Sequence, residues 1–118
     1  MNTKAENTFP SQLSHLKSLI PELSRGCPDV MQEFGALHKA ATKPGAMDQK
    51  TKELMALGIA VAIRCDGCVA FHTHDALRAG ATEAEVMDTL GVAILMGGGP
   101  AMVYAAHAVE ALEQFNAQ

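Results

Sequence analysis

The sequence predicts an all-α fold, and three observations carry that expectation. Apolar residues recur at three- and four-residue spacing along most of the chain. No run alternates with period two between hairpin turns. Pro, Gly and capping residues fall where helices of ordinary length would start and stop. The 118 residues suit one domain. The expectation is a bundle of about six helices over 11–118, following a polar, loosely ordered lead-in at 1–10.

Leu13, Leu16, Leu19 and Ile20 define a first amphipathic helix from Ser11 to Leu23, with Pro21 expected to interrupt or reshape its last turn. Pro28 suits the first turn of a second helix, in which Val30, Met31, Phe34, Leu37 and Ala41 recur before Lys43-Pro44-Gly45 ends it. Asp48 is the expected N-cap of a third helix reaching Arg64. Its apolar residues point all round the axis, which predicts burial on most sides. A fourth helix runs from Asp66 to Ala79 and stops at Gly80. Thr82 and Glu85 form a capping box for a fifth, reaching Met96. Gly97-Gly98-Gly99 breaks it, and Pro100 starts a last helix ending near Phe115.

Several of these helices are apolar on more than one face. One small domain would struggle to cover them, which predicts a homo-oligomer. Net charge is −4, the nine Lys and Arg residues are scattered, and Trp is absent. That balance argues against nucleic-acid and anionic-membrane binding. The start of the chain lacks the apolar core of a signal peptide. The longest strongly apolar stretch, Leu54 to Ile63, is too short to cross a bilayer. The expectation is a cytoplasmic protein, in which a close cysteine pair is catalytic or metal-binding rather than structural.

That pair sits in Arg64-Cys65-Asp66-Gly67-Cys68-Val69-Ala70-Phe71-His72. On a helix, positions 65, 68 and 72 fall within an arc of about 60°. Cysteines three apart have Cα atoms about 5 to 6 Å apart, close enough for a disulfide. His72, one turn past Cys68, can take the proton of that thiol, and the nearby helix start also favours a thiolate. A peroxide attacked by one thiolate gives a sulfenic acid, which the other cysteine condenses into a disulfide. Spacing makes Cys68 the attacking thiol and Cys65 the resolving one.

Other readings stand beside this one. Haem attachment would need His directly after the second Cys, where Val69 stands. Zinc could take Cys65, Cys68 and His72 with Glu53 or His107, but no second CxxC or HxxxH completes a set. Two buried, inert cysteines are a third possibility. Cys27 reads as structural, and His15, His38 and His74 as surface residues without partners. His107 reads as a hydrogen-bonded core residue. Glu53 opens the apolar part of the third helix. It is either a paired buried carboxylate or a first-turn acid at the solvent edge, and spacing leaves both open. No cofactor is expected, and no metal.

The stretch from Lys52-Glu53-Leu54 through Cys65-Asp66-Gly67-Cys68 and His72 to Gly80-Ala81-Thr82, Glu85 and Gly97-Gly98 resembles the alkylhydroperoxidase D-like branch of the carboxymuconolactone decarboxylase family. The resemblance covers roughly residues 30 to 112 and includes all four residues of that branch's Glu…CxxC…His pattern. It implies an all-helical fold assembling into trimers or hexamers. It implies hydroperoxide reduction, with Cys68 as peroxidatic thiol, Cys65 resolving, and Glu53 and His72 as a proton relay. It also implies re-reduction by a dithiol partner, either a lipoylated or a thioredoxin-like protein. The peroxidase that gives the branch its name has His immediately before the second Cys, where this chain has Gly67. The alternatives are a decarboxylase-like lyase with incidental cysteines, and a non-enzymatic redox-sensing or metal-binding subunit.

Overall fold

Thr8 opens the first helix in a computed structural model that describes residues 7–118. Its hydroxyl accepts from the Ser11 N–H at 3.2 Å, and Pro10 lies in the first turn, where its missing N–H costs nothing. This helix, α1, spans Phe9–Gly26. It begins two residues before the expected Ser11 and continues through Pro21 rather than breaking there. One internal Pro forfeits one intrahelical bond, while Phe9 and Leu13 anchor the helix in the core. The rest of the expected lead-in, residues 1–6, lies outside the described residues.

Helix α2 spans Pro28–Thr42 and buries none of its residues; Val30, Phe34 and Leu37 are 60% or more exposed. Helix α3 spans Gln49–Ala62, with Asp48 Oδ1 accepting from the Thr51 N–H at 2.8 Å. A side-chain hydrogen bond from Thr51, and after it this backbone bond, hold the Asp48 carboxyl below its usual range. The chain leaves α3 through a Schellman turn. Cys65 N–H reaches back to the Ala60 carbonyl and Arg64 N–H to the Val61 carbonyl, with Arg64 left-handed at φ 62°.

Helix α4 spans Asp66–Arg78 and ends in a second such turn, in which Gly80 takes φ 96° without the Cβ clash other residues meet. The capping box is present as expected: Thr82 Oγ1 accepts from Glu85 N–H, and Glu85 Oε1 accepts from Thr82 N–H. It opens α5, Glu83–Asn116, which breaks at Gly98, where φ 70° and ψ −152° lie outside the helical region. The two arms, 83–97 and 99–116, bring the helical segments among the described residues to the expected six. Lys50 Nζ meets Glu85 Oε2 at 2.9 Å, tying the start of α3 to the start of α5. The pair holds the Glu85 carboxyl below its usual range and pushes the Lys50 amine up.

The core lies between α3, α4 and α5, with α1 covering one side. Leu57 and Val61 meet Val69, Ala70 and Ala76, and Val86 and Leu90 close the layer. Each fully buried Leu or Val contributes roughly 1.5–3 kcal/mol relative to exposure. The second arm of α5 presents Ala101, Ala105, Ala108 and Ala111 inward, and these small side chains admit close helix approach. A Cβ on Gly97 would stand 2.6 Å from Ala101 Cβ, so the residue before the break is held to glycine by sterics, and Gly98 by its backbone angles.

Two expectations need correction. Helix α3 is not covered on most sides within one chain: Met55, Ile59 and Ile63 are 48%, 58% and 63% exposed. With Val92, Leu95 and Met96 they form an open apolar face, and a groove of about 510 Å³ runs between α3 and α5. The longest apolar element is also not the stretch at 54–63. By length and composition alone, α5 could cross a bilayer, although its inward alanines and leucines belong to the core.

Candidate functional site

The turn between α3 and α4 sets up the site. Cys65 is the N-cap of α4 rather than a residue within it, and its Sγ accepts from the Cys68 N–H at 3.2 Å. The helix-start amide therefore serves Cys65, a division the helical arc did not predict. Cys65 and Cys68 form a disulfide with Cα atoms 5.2 Å apart, inside the span expected from their spacing. Cys68 lies in the first turn of α4 and packs against the core. Leu16 of α1 comes down on Gly67, within 3.2 Å of where a Cβ would stand.

Glu53 resolves in favour of the paired reading. It is 2% exposed, and its Oε2 lies 2.8 Å from His72 Nδ1. Burying a carboxylate without a partner is costly, so α3 carries it inward only because α4 supplies an imidazole. An ionised carboxylate accepts and cannot donate. The bond therefore selects the tautomer with hydrogen on Nδ1 and leaves Nε2 as the proton acceptor. His72 stands one helical turn beyond Cys68 on the same element. The site thus combines two thiols able to cycle through a disulfide, a base, and a buried acid that orients the base.

The other histidines depart from expectation in part. His107 is hydrogen-bonded, as expected, but its partner is Asp66, between the two cysteines, at 2.8 Å from Nδ1. Tyr104 packs against the same imidazole with ring centroids 4.9 Å apart. Asp66 was legible only as a helix-start acid, and no local signal links it to a residue 41 positions away. His74 is not partnerless: its Nδ1 lies 2.9 Å from Asp75 Oδ1, and its ring meets Phe115 edge-on. His38, exposed on α2, stands beside Glu53 and Asp75, with one ligand atom from each of the three within 4.8 Å of the others. Cys27 caps α2, and its thiol donates to the Leu23 carbonyl at 3.2 Å, away from the cysteine pair.

Comparison with known proteins adds the following. The carboxymuconolactone decarboxylase family profile matches residues 28–111, from α2 into the second arm of α5. An uncharacterized protein of Cupriavidus necator is 37% identical over 107 residues, covering 91% of this chain and 95% of that one. The crystal structure of a carboxymuconolactone decarboxylase family protein from Legionella pneumophila superposes with a TM-score of 0.87 at 43% identity, covering 91% of this chain and 96% of that one. A Thermotoga maritima protein of the same family, with a suggested involvement in antioxidative response, superposes with a TM-score of 0.80 at 31% identity, covering 90% of each chain.

Proposed function

The chain belongs to the carboxymuconolactone decarboxylase family, and from that premise and the geometry of its cysteine site we propose that it is a thiol-dependent peroxidase reducing hydroperoxides through Cys68 and Cys65. The pairing of buried Glu53 on α3 with His72, on the helix that carries Cys68, is the observation that supports this most. Incidental cysteines need no oriented base beside them.

The chemistry proceeds in three steps. His72 Nε2 takes the Cys68 proton, and the Glu53 carboxylate stabilises the imidazolium that forms. The Cys68 thiolate attacks the outer peroxide oxygen, the O–O bond breaks, and the departing alkoxide takes the proton held by His72 to leave as an alcohol. The peroxide gains two electrons and Cys68 becomes a sulfenic acid. Cys65 then attacks the sulfenic sulfur: the S–O bond breaks, the disulfide forms, and the departing hydroxide takes the Cys65 thiol proton to leave as water. A dithiol protein, lipoylated or thioredoxin-like, returns the disulfide to two thiols and is itself oxidised. This cycle belongs to the reducing cytoplasm. Apart from the dithiol partner, it calls on no cofactor.

The proposal includes a homotrimer or homohexamer. Ile59, Ile63, Val92, Leu95 and Met96 are all more than half exposed. An apolar face of that extent is ordinarily covered by a further subunit.

A coupled assay tests the reading: peroxide loss is followed with dihydrolipoamide or reduced thioredoxin as donor. Turnover that vanishes in both Cys65→Ser and Cys68→Ser is the expected result. Turnover absent from the parent with every donor, or surviving Cys68→Ser, would overturn it.

A further inference from the structure

A polar recess of about 260 Å³ is lined by His38, Gln49, Glu53, Asp75 and Arg78, and neither cysteine borders it. Three helices meet there. His38 comes from α2, Glu53 from α3 and Asp75 from α4, and one ligand atom of each lies within 4.8 Å of the other two. We propose that His38, Glu53 and Asp75 form a binding site for a divalent transition-metal ion, distinct from the cysteine pair.

Two further observations point to an ion. Each carboxylate already has one oxygen held by an imidazole: Glu53 Oε2 by His72 and Asp75 Oδ1 by His74, at 2.8 and 2.9 Å. Outer imidazoles of this kind fix the orientation of metal-ligating carboxylates. The second oxygen of each makes no hydrogen bond among the described residues, and that of Glu53 is not sealed from solvent, so both are open to a ligand. Two carboxylates converging on one recess repel each other unless positive charge stands between them. Arg78 lines the recess but is an exposed residue, so its guanidinium can extend into solvent.

The donor set defines the ion. One imidazole and two carboxylates suit zinc and its first-row neighbours better than calcium or magnesium, which favour all-oxygen sites. Zinc ligands stand about 2.0–2.2 Å from the metal, so the three atoms close in by about 1 Å on binding. His38, on an exposed helix face, is free to make that movement. Three protein ligands leave a fourth position for water. These are not the Cys65, Cys68 and His72 ligands considered from the sequence, since in this state both sulfurs are committed to the disulfide.

Titration calorimetry with zinc chloride tests the site, on the full-length oxidised protein in a Cys27→Ser background that removes the free thiol. One zinc per chain is expected. His38→Ala and Asp75→Asn should each weaken binding at least tenfold with unchanged helical circular dichroism, and His74→Ala by about tenfold, the usual effect of losing an outer partner. Absence of saturable binding, or His38→Ala binding as tightly as its parent, would overturn the proposal. Neither outcome depends on peroxide turnover, and His38 lies outside the Glu53–His72 relay, so failure here and failure of the peroxidase reading are separately visible.

Discussion

Replacing Glu53 by Gln separates its structural from its chemical role. The amide keeps the size of the side chain and an oxygen that accepts from His72 Nδ1, now at 2.8 Å from the carboxylate. What is lost is the charge. A hydrogen bond to a charged group is worth about 1.5–3 kcal/mol and a neutral one about 0.5–1.5, so the stability loss is about 1 kcal/mol. Against a total of roughly 5–15 kcal/mol, the protein remains folded. The chemical loss is larger, because the carboxylate acts on the imidazolium that appears only as Cys68 loses its proton. Positioned acid–base groups contribute about 10²-fold or more, which corresponds to about 2.7 kcal/mol at 1.36 per decade. The assay is the rate of iodoacetamide alkylation at Cys68 in the freshly reduced protein, mapped by peptide mass spectrometry. The variant should react about 10²-fold more slowly at neutral pH. His72→Gln should do the same, and the double variant should be no slower than either, because the pair acts as a unit. A Glu53→Gln rate within twofold of the parent, in a protein with parental circular dichroism, would refute the relay.

Leu95 is 79% exposed on the open apolar face; Leu95→Glu should convert the proposed trimer or hexamer to monomer by light scattering at micromolar concentration, and a parent already monomeric contradicts the proposed assembly. Gly98→Ala forces a Cβ into the region at φ 70° and ψ −152°, costing about 1–3 kcal/mol, read as a lower urea midpoint with an unchanged slope. The Glu85 carboxyl lies below its usual value because of the Lys50 hydrogen bond, so the stability it adds is fully present above about pH 4.5. That stability is lost as pH falls through the lower folded value, so thermal melts of parent and Glu85→Gln should converge in acid and separate above it.

Much of the fold was legible because helix punctuation is local chemistry. Asp48, the Thr82–Glu85 box, Gly80 and the glycine run each act within a few residues of themselves, and each stands where the sequence put it. Pro21 was read as interrupting or reshaping the last turn, and α1 runs past it, since one internal Pro forfeits one backbone hydrogen bond without having to end the helix. The exposure of Ile59 and Leu95 could not be read either, since periodicity tells that a face is apolar and not what covers it. At the site, the Cys65–Cys68 geometry followed from a spacing of three. The choice between a buried and a solvated Glu53 required knowing that α4 brings His72 across 19 positions. The same holds for His38 with Asp75, and for His107 with Asp66. These pairs join different helices, and no sequence period encodes them.

The most direct test of the central claim is to catch the first oxidation product in single-cysteine variants. The reduced proteins are given a brief peroxide pulse, trapped with a sulfenic-acid reagent and mapped by mass spectrometry. Cys65→Ser should accumulate sulfenic acid at Cys68 at the rate at which the parent forms its disulfide, and Cys68→Ser should show little at Cys65. Sulfenic acid appearing at Cys65 in Cys68→Ser as fast as the parental disulfide, with none at Cys68 in Cys65→Ser, would contradict the account.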